Sequence, residues 1–537
     1  MLLRLRAQPT IGLFILAGRN FLSTCFRYSS PFQLILVILI GLHLIPIWIC
    51  HYFPTQDGPS HLYNAQIIRE YWNSSYQFQE FYDIQWSPLP NWITHFLLAS
   101  LLLIFPPILA EKVFLSLYVI CFPTAVIYFL NSIEVGKRTV YLMVFPFIYN
   151  YLFLMGFYSF ALSVPFYFLA LGYWWRHKDN LSVKTIILLN LILVATYFSH
   201  LISYGLALIS LGLLIILYYY KRPPLLLTHL CGLIPASSLM LVYLPSSDLL
   251  SGETPKIGLS RLPVLLTKLL SMEILISWDE SQAIVGYLVS GTLIFLLTYT
   301  LWETRDMQSD RNAKTYSYRA MFLVICLCLL VLYLILPWSV GPGGWLNDRI
   351  AMLVCVLSLV LIKEGNHGWW RFGVGGWLIL ISLLNVLQLG YHCQILDKEL
   401  RAFNAKVMTI EKNQVLLPLF FDGMGSAHRI GIFVNAGNYY CLDNGGINVA
   451  NYETNYDYFP VKFKDRFQPP LPKKEWVVVL HWQPEEIDLC SYAQYVDYVL
   501  LWGKPDPVTA KYLEICYHNI STDGQLKLFK PEDLNQE

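Results

Sequence analysis

Long apolar runs without charged residues constrain this chain more than any other feature. Residues 32–50 and 202–220 are two such runs, and as helices each is long enough to cross the hydrocarbon core of a bilayer. Charged residues make up only 14% of the 537 positions, against about 25% in ordinary soluble domains. The net charge of +1 provides no basic field, so no nucleic-acid partner is expected. The sequence therefore predicts a polytopic α-helical membrane protein.

Apolar runs and the basic residues between them give the predicted topology. We count about eleven spans before residue 392, with no cleaved signal peptide. The run 92–105 is short and ends at a Pro-Pro pair, so we expect it to lie at the interface or to re-enter. This arrangement puts 17 of the 23 Lys and Arg residues before residue 392 on the cytoplasmic side, as the positive-inside rule requires. The N-terminus is then cytoplasmic.

The predicted domains follow from a change in composition near residue 392. Residues 1–391 form the transmembrane domain, with outward loops at 51–110 and 245–282. Residues 392–537 carry 14 basic and 19 acidic residues, and short apolar runs there predict a small extracytoplasmic α/β domain. The predicted strands are residues 415–420, 476–480, 495–501 and 526–529. Its four cysteines are compatible with disulfides or with buried thiols: Cys393, Cys441, Cys490 and Cys516.

Polar residues collect at the predicted outer ends of the spans, and Asp57 is the first of them. Asp57 follows the first span by a few residues, and His61 comes one helical turn later. The two side chains are near enough to share a substrate or a divalent metal ion, although no metal ligand set is evident. The alternative is that Asp57 forms the turn before Gly58-Pro59 and caps the helix that follows.

Asp348 and Arg349 form a second candidate pair at the outer end of a later span. Ionisable residues at membrane depth are costly and are usually paired or functional. Arg349 can bind a phosphate through two parallel hydrogen bonds. The alternative is an acid–base pair that caps the helix and reaches the lipid headgroups.

Three further residues complete the candidate site. His200 lies at the outward turn between two spans, where it either lines the site or makes a structural hydrogen bond. Arg261 and Lys268 belong to a run whose leucines repeat at helical spacing, which predicts a helix lying in the interface. These two cations either attract a phospholipid-linked donor or contact membrane lipids.

Five short motifs resemble the GT-C class of membrane glycosyltransferases, as in bacterial protein mannosyltransferases and aminoarabinose transferases. The motifs are residues 56–65, 88–92, 156–160, 199–201 and 347–349. The first looks like the acidic "D-x-P-x-H" opening of the first outward loop in bacterial members. One difference stands out, because many relatives carry two acids there and this chain has Gln56 beside Asp57.

The resemblance implies a transferase that moves a sugar from a polyprenyl-phosphate donor to a glycan, lipid or protein acceptor. The reaction would take place on the non-cytoplasmic face of the bacterial inner membrane. Asp57 would act as the general base, and Arg349, with Arg261 or Lys268, would stabilise the departing lipid phosphate. The competing hypothesis is a transporter or flippase for a lipid-linked glycan, which predicts internal symmetry and helices broken near mid-membrane.

Overall fold

The protein is mostly helical, with a small sheet region towards its C-terminus. The structure is a computed structural model. It describes residues 30–134, 136, 138–243, 259–306, 313–340, 343–365, 368, 370–405, 410–442, 444–464 and 483–532.

Fifteen helices longer than two turns carry the architecture of the described residues. In chain order they are α1 (Ser30–Ile49), α2 (Gly58–Glu70), α3 (Trp92–Leu102), α4 (Pro107–Ile133), α5 (Tyr158–His177), α6 (Val183–Ser199), α7 (Leu201–Tyr219), α8 (Pro223–Cys231), α9 (Ile234–Tyr243), α10 (Leu262–Leu270), α11 (Ala283–Asp306), α12 (Ala313–Ile335), α13 (Leu346–Ser358), α14 (Gly375–Phe403) and α15 (Pro507–Cys516). Most are rich in Leu, Ile, Val and Phe, which suits burial in lipid or against neighbouring helices.

Six helices in the described part of the chain are long and apolar enough to cross a membrane, which is consistent with the predicted membrane protein. They are α1, α4, α7, α11, α12 and α14. A seventh candidate is the pair α8 and α9, which is bent by 52°. The predicted count of about eleven spans is therefore not confirmed by length and apolarity. Segment 138–154 is interrupted at Pro146, for example, and α13 has only 13 residues.

The first outward loop folds into helices around a short strand. It holds α2, the single turn Phe78–Phe81, strand β1 (Tyr82–Ile84) and the 11-residue helix α3. At about 1.5 Å per residue, α3 is too short to span a bilayer, as predicted for this run. In the second loop, α10 exposes Val264, Leu266 and Leu270 while Leu265 is buried. Residues 244–258 of that loop lie outside the described residues.

The C-terminal sheet has five strands in the order β3-β2-β5-β7-β6. The strands are β2 (Val415–Phe420), β3 (Ile447–Asn448), β5 (Tyr498–Trp502), β6 (Tyr517–Asp523) and β7 (Leu526–Pro531), while β4 (Val461–Phe463) pairs with β1. Three of the four predicted strands are present with small shifts at their ends. The fourth, at 476–480, lies outside the described residues.

The C-terminal region packs against the first outward loop. Strands β1 and β4 pair antiparallel, with Tyr82 opposite Phe463. The Tyr63 hydroxyl donates to the Gly446 carbonyl at 2.7 Å. Helix α14 continues without a break through residues 391 and 392, so the membrane helix leads directly into this region. Two disulfides are present, Cys50–Cys393 and Cys490–Cys516, while Cys441 is a buried free thiol.

Candidate functional site

Asp57 lies at the start of α2, where its carboxylate faces into the protein. The side chain is 6% exposed and makes no capping hydrogen bond to α2. Its Oδ1 instead accepts from Asn435 Nδ2 at 3.0 Å and from Gln56 Nε2 at 3.3 Å. The carboxylate is therefore not used as a helix cap, and it is free for another role.

Gly156 allows a second segment to approach the backbone of Asp57 closely. The Asp57 amide donates to the Met155 carbonyl at 3.1 Å. Gly156 has φ +84°, and a Cβ there would lie 2.6 Å from the amide nitrogens of both Asp57 and Gly58. Only glycine adopts this conformation without strain while leaving room for the turn.

The environment of Asp57 makes its carboxylate a stronger base than a carboxylate in water. Burial raises the pKa of Asp57 to about 6, against the opposing effects of His61 and of the hydrogen bond from Gln56. A raised pKa brings a carboxyl closer to the range in which general bases work. Next to it, Tyr158 donates to the buried Glu111 at 2.8 Å, at the start of α4.

Arg349, in the first turn of α13, is buried beside the same backbone segment. Its guanidinium carbon lies 4.9 Å from the ring centre of Phe157 and 5.6 Å from that of Phe160. Its Nε has no hydrogen-bond partner, and Arg349 forms no salt bridge with any described residue. Its guanidinium also interacts electrostatically with Tyr458, Asp348 and Asp57, but none of them forms a hydrogen bond to its Nε. A buried cation without an anionic partner is a candidate anion-binding group.

His200 belongs to the same neighbourhood as Arg349. Its ring packs edge-on against Phe160, and its Nδ1 accepts from the Ile202 amide at 3.3 Å, which caps α7. Burial lowers the pKa of His200 well below its usual value, and the charge of Arg349 lowers it further. A neutral ring that accepts through Nδ1 carries its proton on Nε2. His200 is therefore both a helix cap and a potential donor.

The other predicted cations are engaged elsewhere. Arg261 donates to Asn347 at 3.1 Å. Lys268 and Arg429 contact the same oxygen of Glu273, at 3.2 and 3.1 Å. Asp348 lies on this side of α13, where it interacts electrostatically with Lys268 and Arg429. The structure thus brings together Asp57, His61, His200 and Arg349. Arg261 and Lys268 are paired with Asn347 and Glu273 in a neighbouring polar group, to which Asp348 belongs through its electrostatic interaction with Lys268.

His61 takes part in a buried cluster that spans three segments. His61 Nδ1 lies 2.8 Å from Glu453 Oε1, and His95 Nε2 lies 2.6 Å from Glu453 Oε2. Burial opposes ionisation of Glu453, but His95 and His61 lower its pKa to about 2. Burial disfavours protonation of His61, yet Glu453 outweighs it and raises the pKa. One ligand atom from each of these three residues lies within 4.8 Å of the others, so the cluster could hold a metal ion.

Sequence reasoning missed three residues of this site, namely His95, Asn435 and Glu453. His95 is the single ionisable residue in a short apolar helix, which is itself a signal because such residues need a reason to be there. The other two lie in an asparagine-rich stretch between residues 435 and 455. Nothing local in the sequence indicates that this stretch contacts the first outward loop.

Comparison of the chain with protein-family models and with curated protein sequences finds no match in either.

Proposed function

We propose that the protein is a membrane glycosyltransferase that moves a sugar from a polyprenyl-phosphate donor to an acceptor hydroxyl on the non-cytoplasmic face. The observation that carries the proposal is the buried guanidinium of Arg349, whose Nε has no hydrogen-bond partner, within electrostatic range of the buried carboxylate of Asp57. A base and a phosphate-binding cation are the two groups that this reaction needs. The resemblance of the motifs to GT-C enzymes supplies the donor class.

Arg349 is suited to bind the phosphate of the donor and of the departing lipid. Its planar guanidinium matches phosphate oxygens through two hydrogen bonds, and the rings of Phe157 and Phe160 support it from the side. Removing water from this charge without a partner is costly, so a bound phosphate would relieve the cost. His200 is placed to add a hydrogen bond through its Nε2.

Asp57 is suited to deprotonate the acceptor. Asn435 holds one carboxylate oxygen, and the Oδ1 of Asn435 has no hydrogen-bond partner. An acceptor hydroxyl can donate to Asp57 as it enters, and a second hydroxyl of the acceptor can donate to Asn435. Asn435 is then a positioning residue for the base.

The reaction balances with these groups alone. The acceptor hydroxyl gives its proton to Asp57, and its oxygen forms a new bond to the anomeric carbon of the sugar. The bond between the anomeric carbon and the phosphate oxygen breaks, and the electron pair leaves with polyprenyl phosphate. Arg349 stabilises the second negative charge that develops on the phosphate. The leaving group needs no added proton at neutral pH.

We further infer about eleven membrane crossings, since contacts alternate between two ends along the chain. At one end lie Asp57 and Met155, together with Glu111 and Tyr158. At the other end, the ion pairs Arg319–Glu134 and Lys363–Glu303 measure 2.9 and 3.1 Å, and the Thr139 amide donates to Glu364 at 3.0 Å. The interrupted segment 138–154, α5, α6 and α13 would then cross as well, in addition to the longer spans.

This topology puts the site and both disulfides on one side of the membrane. Cys50 follows α1, and Cys490 lies in the C-terminal region, so both bonds would face an oxidising compartment. The bacterial inner membrane with an extracytoplasmic C-terminal region satisfies this condition. The N-terminus would then be cytoplasmic.

The transporter hypothesis keeps one supporting observation, the 52° bend between α8 and α9. Broken helices line the substrate path in many transporters. Here, however, the unpaired cation and the buried acid lie at span ends and not at this bend. The geometry favours the transferase.

The direct test incubates the purified protein in lipid nanodiscs with radiolabelled polyprenyl-phosphate sugars and extracts of candidate acceptors. We expect label to move from the lipid to an acceptor with wild-type protein and not with Asp57→Asn. Equilibrium binding of unlabelled polyprenyl phosphate, with the uncharged polyprenol as control, tests the phosphate site separately. Equal binding of both lipids, together with no transfer from any donor, would overturn the proposal.

A further inference from the structure

We propose that His61, His95 and Glu453 bind one divalent transition-metal cation, with Zn²⁺ the best match, which joins the first outward loop to the C-terminal region. The proposal does not depend on the transferase function. It rests on the geometry of three side chains that are almost completely buried.

The histidine tautomer at position 95 is the first argument. His95 Nδ1 lies 3.1 Å from the carbonyl of Asn91, one turn earlier in the chain, and can only be the donor there. A neutral His95 therefore directs the lone pair of Nε2 at Glu453. Two lone pairs cannot face each other at 2.6 Å without a proton, on the ring or on the carboxyl group, or a metal cation between them. Metal-binding histidines commonly show this arrangement, with the far nitrogen donating to a backbone carbonyl.

The contact between His61 and Glu453 is the second argument, because it distinguishes a bound metal cation from an additional proton in the cluster. Its atoms are 2.8 Å apart, which is short enough for a hydrogen bond. Nevertheless, His61 Nδ1 and Glu453 Oε1 both lack a partner with acceptable hydrogen-bond geometry. A proton on Nδ1 would thus leave two buried polar atoms poorly satisfied. A cation bound by both atoms would satisfy them together.

The ligand set points to a particular class of cation. Two imidazole nitrogens and a carboxylate that offers both of its oxygens suit Zn²⁺ and its first-row neighbours, whereas Mg²⁺ and Ca²⁺ prefer oxygen ligands only. Around Zn²⁺ the ligand atoms lie about 2.0–2.2 Å from the metal, and neighbouring ligands are about 3.3 Å apart. To reach this spacing, His61 would need to move about 0.5 Å and His95 about 0.7 Å further from Glu453. Three protein ligands leave a fourth position open, as in catalytic zinc sites.

The three segments that the cation would join are distant in sequence. His61 lies on α2 and His95 on α3, at opposite ends of the first outward loop, and Glu453 lies in the turn Tyr452–Asn455. Asp57 is one turn from His61 on the edge of the same cluster. A bound cation would therefore fix the position of the loop that carries Asp57.

The test uses wild-type protein purified without a polyhistidine tag and treated with a chelator. We expect one equivalent of Zn²⁺ or Co²⁺ to bind, with the visible absorption of Co²⁺ in a nitrogen- and oxygen-ligated site and with a higher midpoint of thermal unfolding. Glu453→Gln and His95→Gln should weaken binding by about 100-fold or more. His229→Gln, at a buried histidine stacked on Tyr219 away from the cluster, is the matched control and should bind as wild type.

Wild-type measurements keep the proposal falsifiable even where a variant fails to fold. If chelated wild-type protein takes up no stoichiometric metal, shows no Co²⁺ spectrum and unfolds at the same temperature with and without Zn²⁺, the proposal is overturned. The cluster would then be a doubly protonated His–Glu–His ion network. Binding that persists unchanged in folded Glu453→Gln and His95→Gln would overturn the assignment equally.

Discussion

Asn64 and Asn451 exchange two side-chain hydrogen bonds across 387 positions of sequence. Each amide nitrogen donates to the other's carbonyl oxygen at 2.9 Å, and both residues are fully buried. Asn64 lies on α2, two turns from Asp57, while Asn451 immediately precedes the turn that holds Glu453. This pair fixes the register between the two segments that form the site.

Removing both partners of the Asn64–Asn451 pair should cost less stability than the sum of the two single removals. Asn451→Ala leaves the Oδ1 and one N–H of Asn64 buried without a partner, while its other N–H still donates to the Ser60 carbonyl. Such a loss typically costs about 1–3 kcal/mol. We expect N64A/N451A to lose less stability than the sum of the single changes, because they share one interaction. Thermal unfolding of the wild type, the two single variants and the double variant in detergent measures this double-mutant cycle. The exposed Asn519→Ala, which loses only a contact to Thr522, should change little.

Asp57→Asn tests the base. The change keeps the size of the side chain and removes the proton acceptor, and no capping bond to α2 is lost. We expect a fall of about 10²–10⁴-fold in the rate of sugar transfer, with normal folding and normal binding of polyprenyl phosphate. Asp348→Asn is the matched control on the other side of the pocket and should reduce the rate far less. Full transfer by Asp57→Asn would remove the central assignment.

Arg349 should respond differently to alanine and to lysine. Arg349→Ala removes the charge and should cost on the order of 2–4 kcal/mol of transition-state stabilisation. Arg349→Lys retains a charge without the planar fork and should lose less. Transfer rates and the dissociation constant for polyprenyl phosphate measure both effects. Arg261→Ala, whose guanidinium is bound to Asn347, should have a smaller effect. Unchanged binding and turnover in Arg349→Ala would identify this residue as a structural anchor.

Gly156→Ala should disturb the turn at Asp57. The new Cβ would meet two backbone nitrogens at 2.6 Å, and alanine is strained at φ +84°. We expect a loss of about 1–3 kcal/mol in stability or a comparable loss of activity. Gly376→Ala, in α14 with open space around it, is the control and should be neutral or stabilising. A Gly156→Ala protein as stable and as active as wild type would show that the turn adapts.

The proposed topology predicts opposite locations for two points in the chain. Reporter fusions after Lys221 and after Glu537 should report the cytoplasmic and the extracytoplasmic compartment, respectively. The physical reason is that Asp57 and Glu453 share one neighbourhood, so an even number of crossings must separate them. Both reporters in the cytoplasm would contradict the assignment of crossings.

The sequence predicts the helices and strands whose formation depends on neighbouring residues in the chain. The apolar helices, the short helix α3 and the strands β2, β5 and β7 follow from hydropathy and from periodicity. The number of membrane-spanning helices is harder to predict, because Pro146 interrupts one apolar segment and α13 ends after 13 residues. Length and apolarity alone do not show whether such segments cross a bilayer.

Only some residues of the candidate site can be predicted from the sequence, and the reason is their surroundings in the chain. Asp57, His61, His200 and Arg349 lie next to span ends, where polar residues are conspicuous against an apolar background. Asn435 and Glu453 lie in a polar region, where one more polar residue carries no signal. Their roles arise from tertiary contacts, such as the Asn435–Asp57 hydrogen bond, which join residues 378 positions apart.

The packing of β4 against β1 and of Glu453 against His61 has a consequence for biogenesis. Membrane insertion proceeds from the N-terminus, so in the proposed topology α2 and α3 would be exported long before residues 435–463, which hold β4 and Glu453, leave the ribosome. During that interval His61 and His95 lack their carboxylate, and β1 is an unpaired edge strand. The contacts between the first outward loop and residues 435–463 can therefore form only when most of the chain has been made, so a chain truncated before residue 435 should leave this loop open to proteolysis.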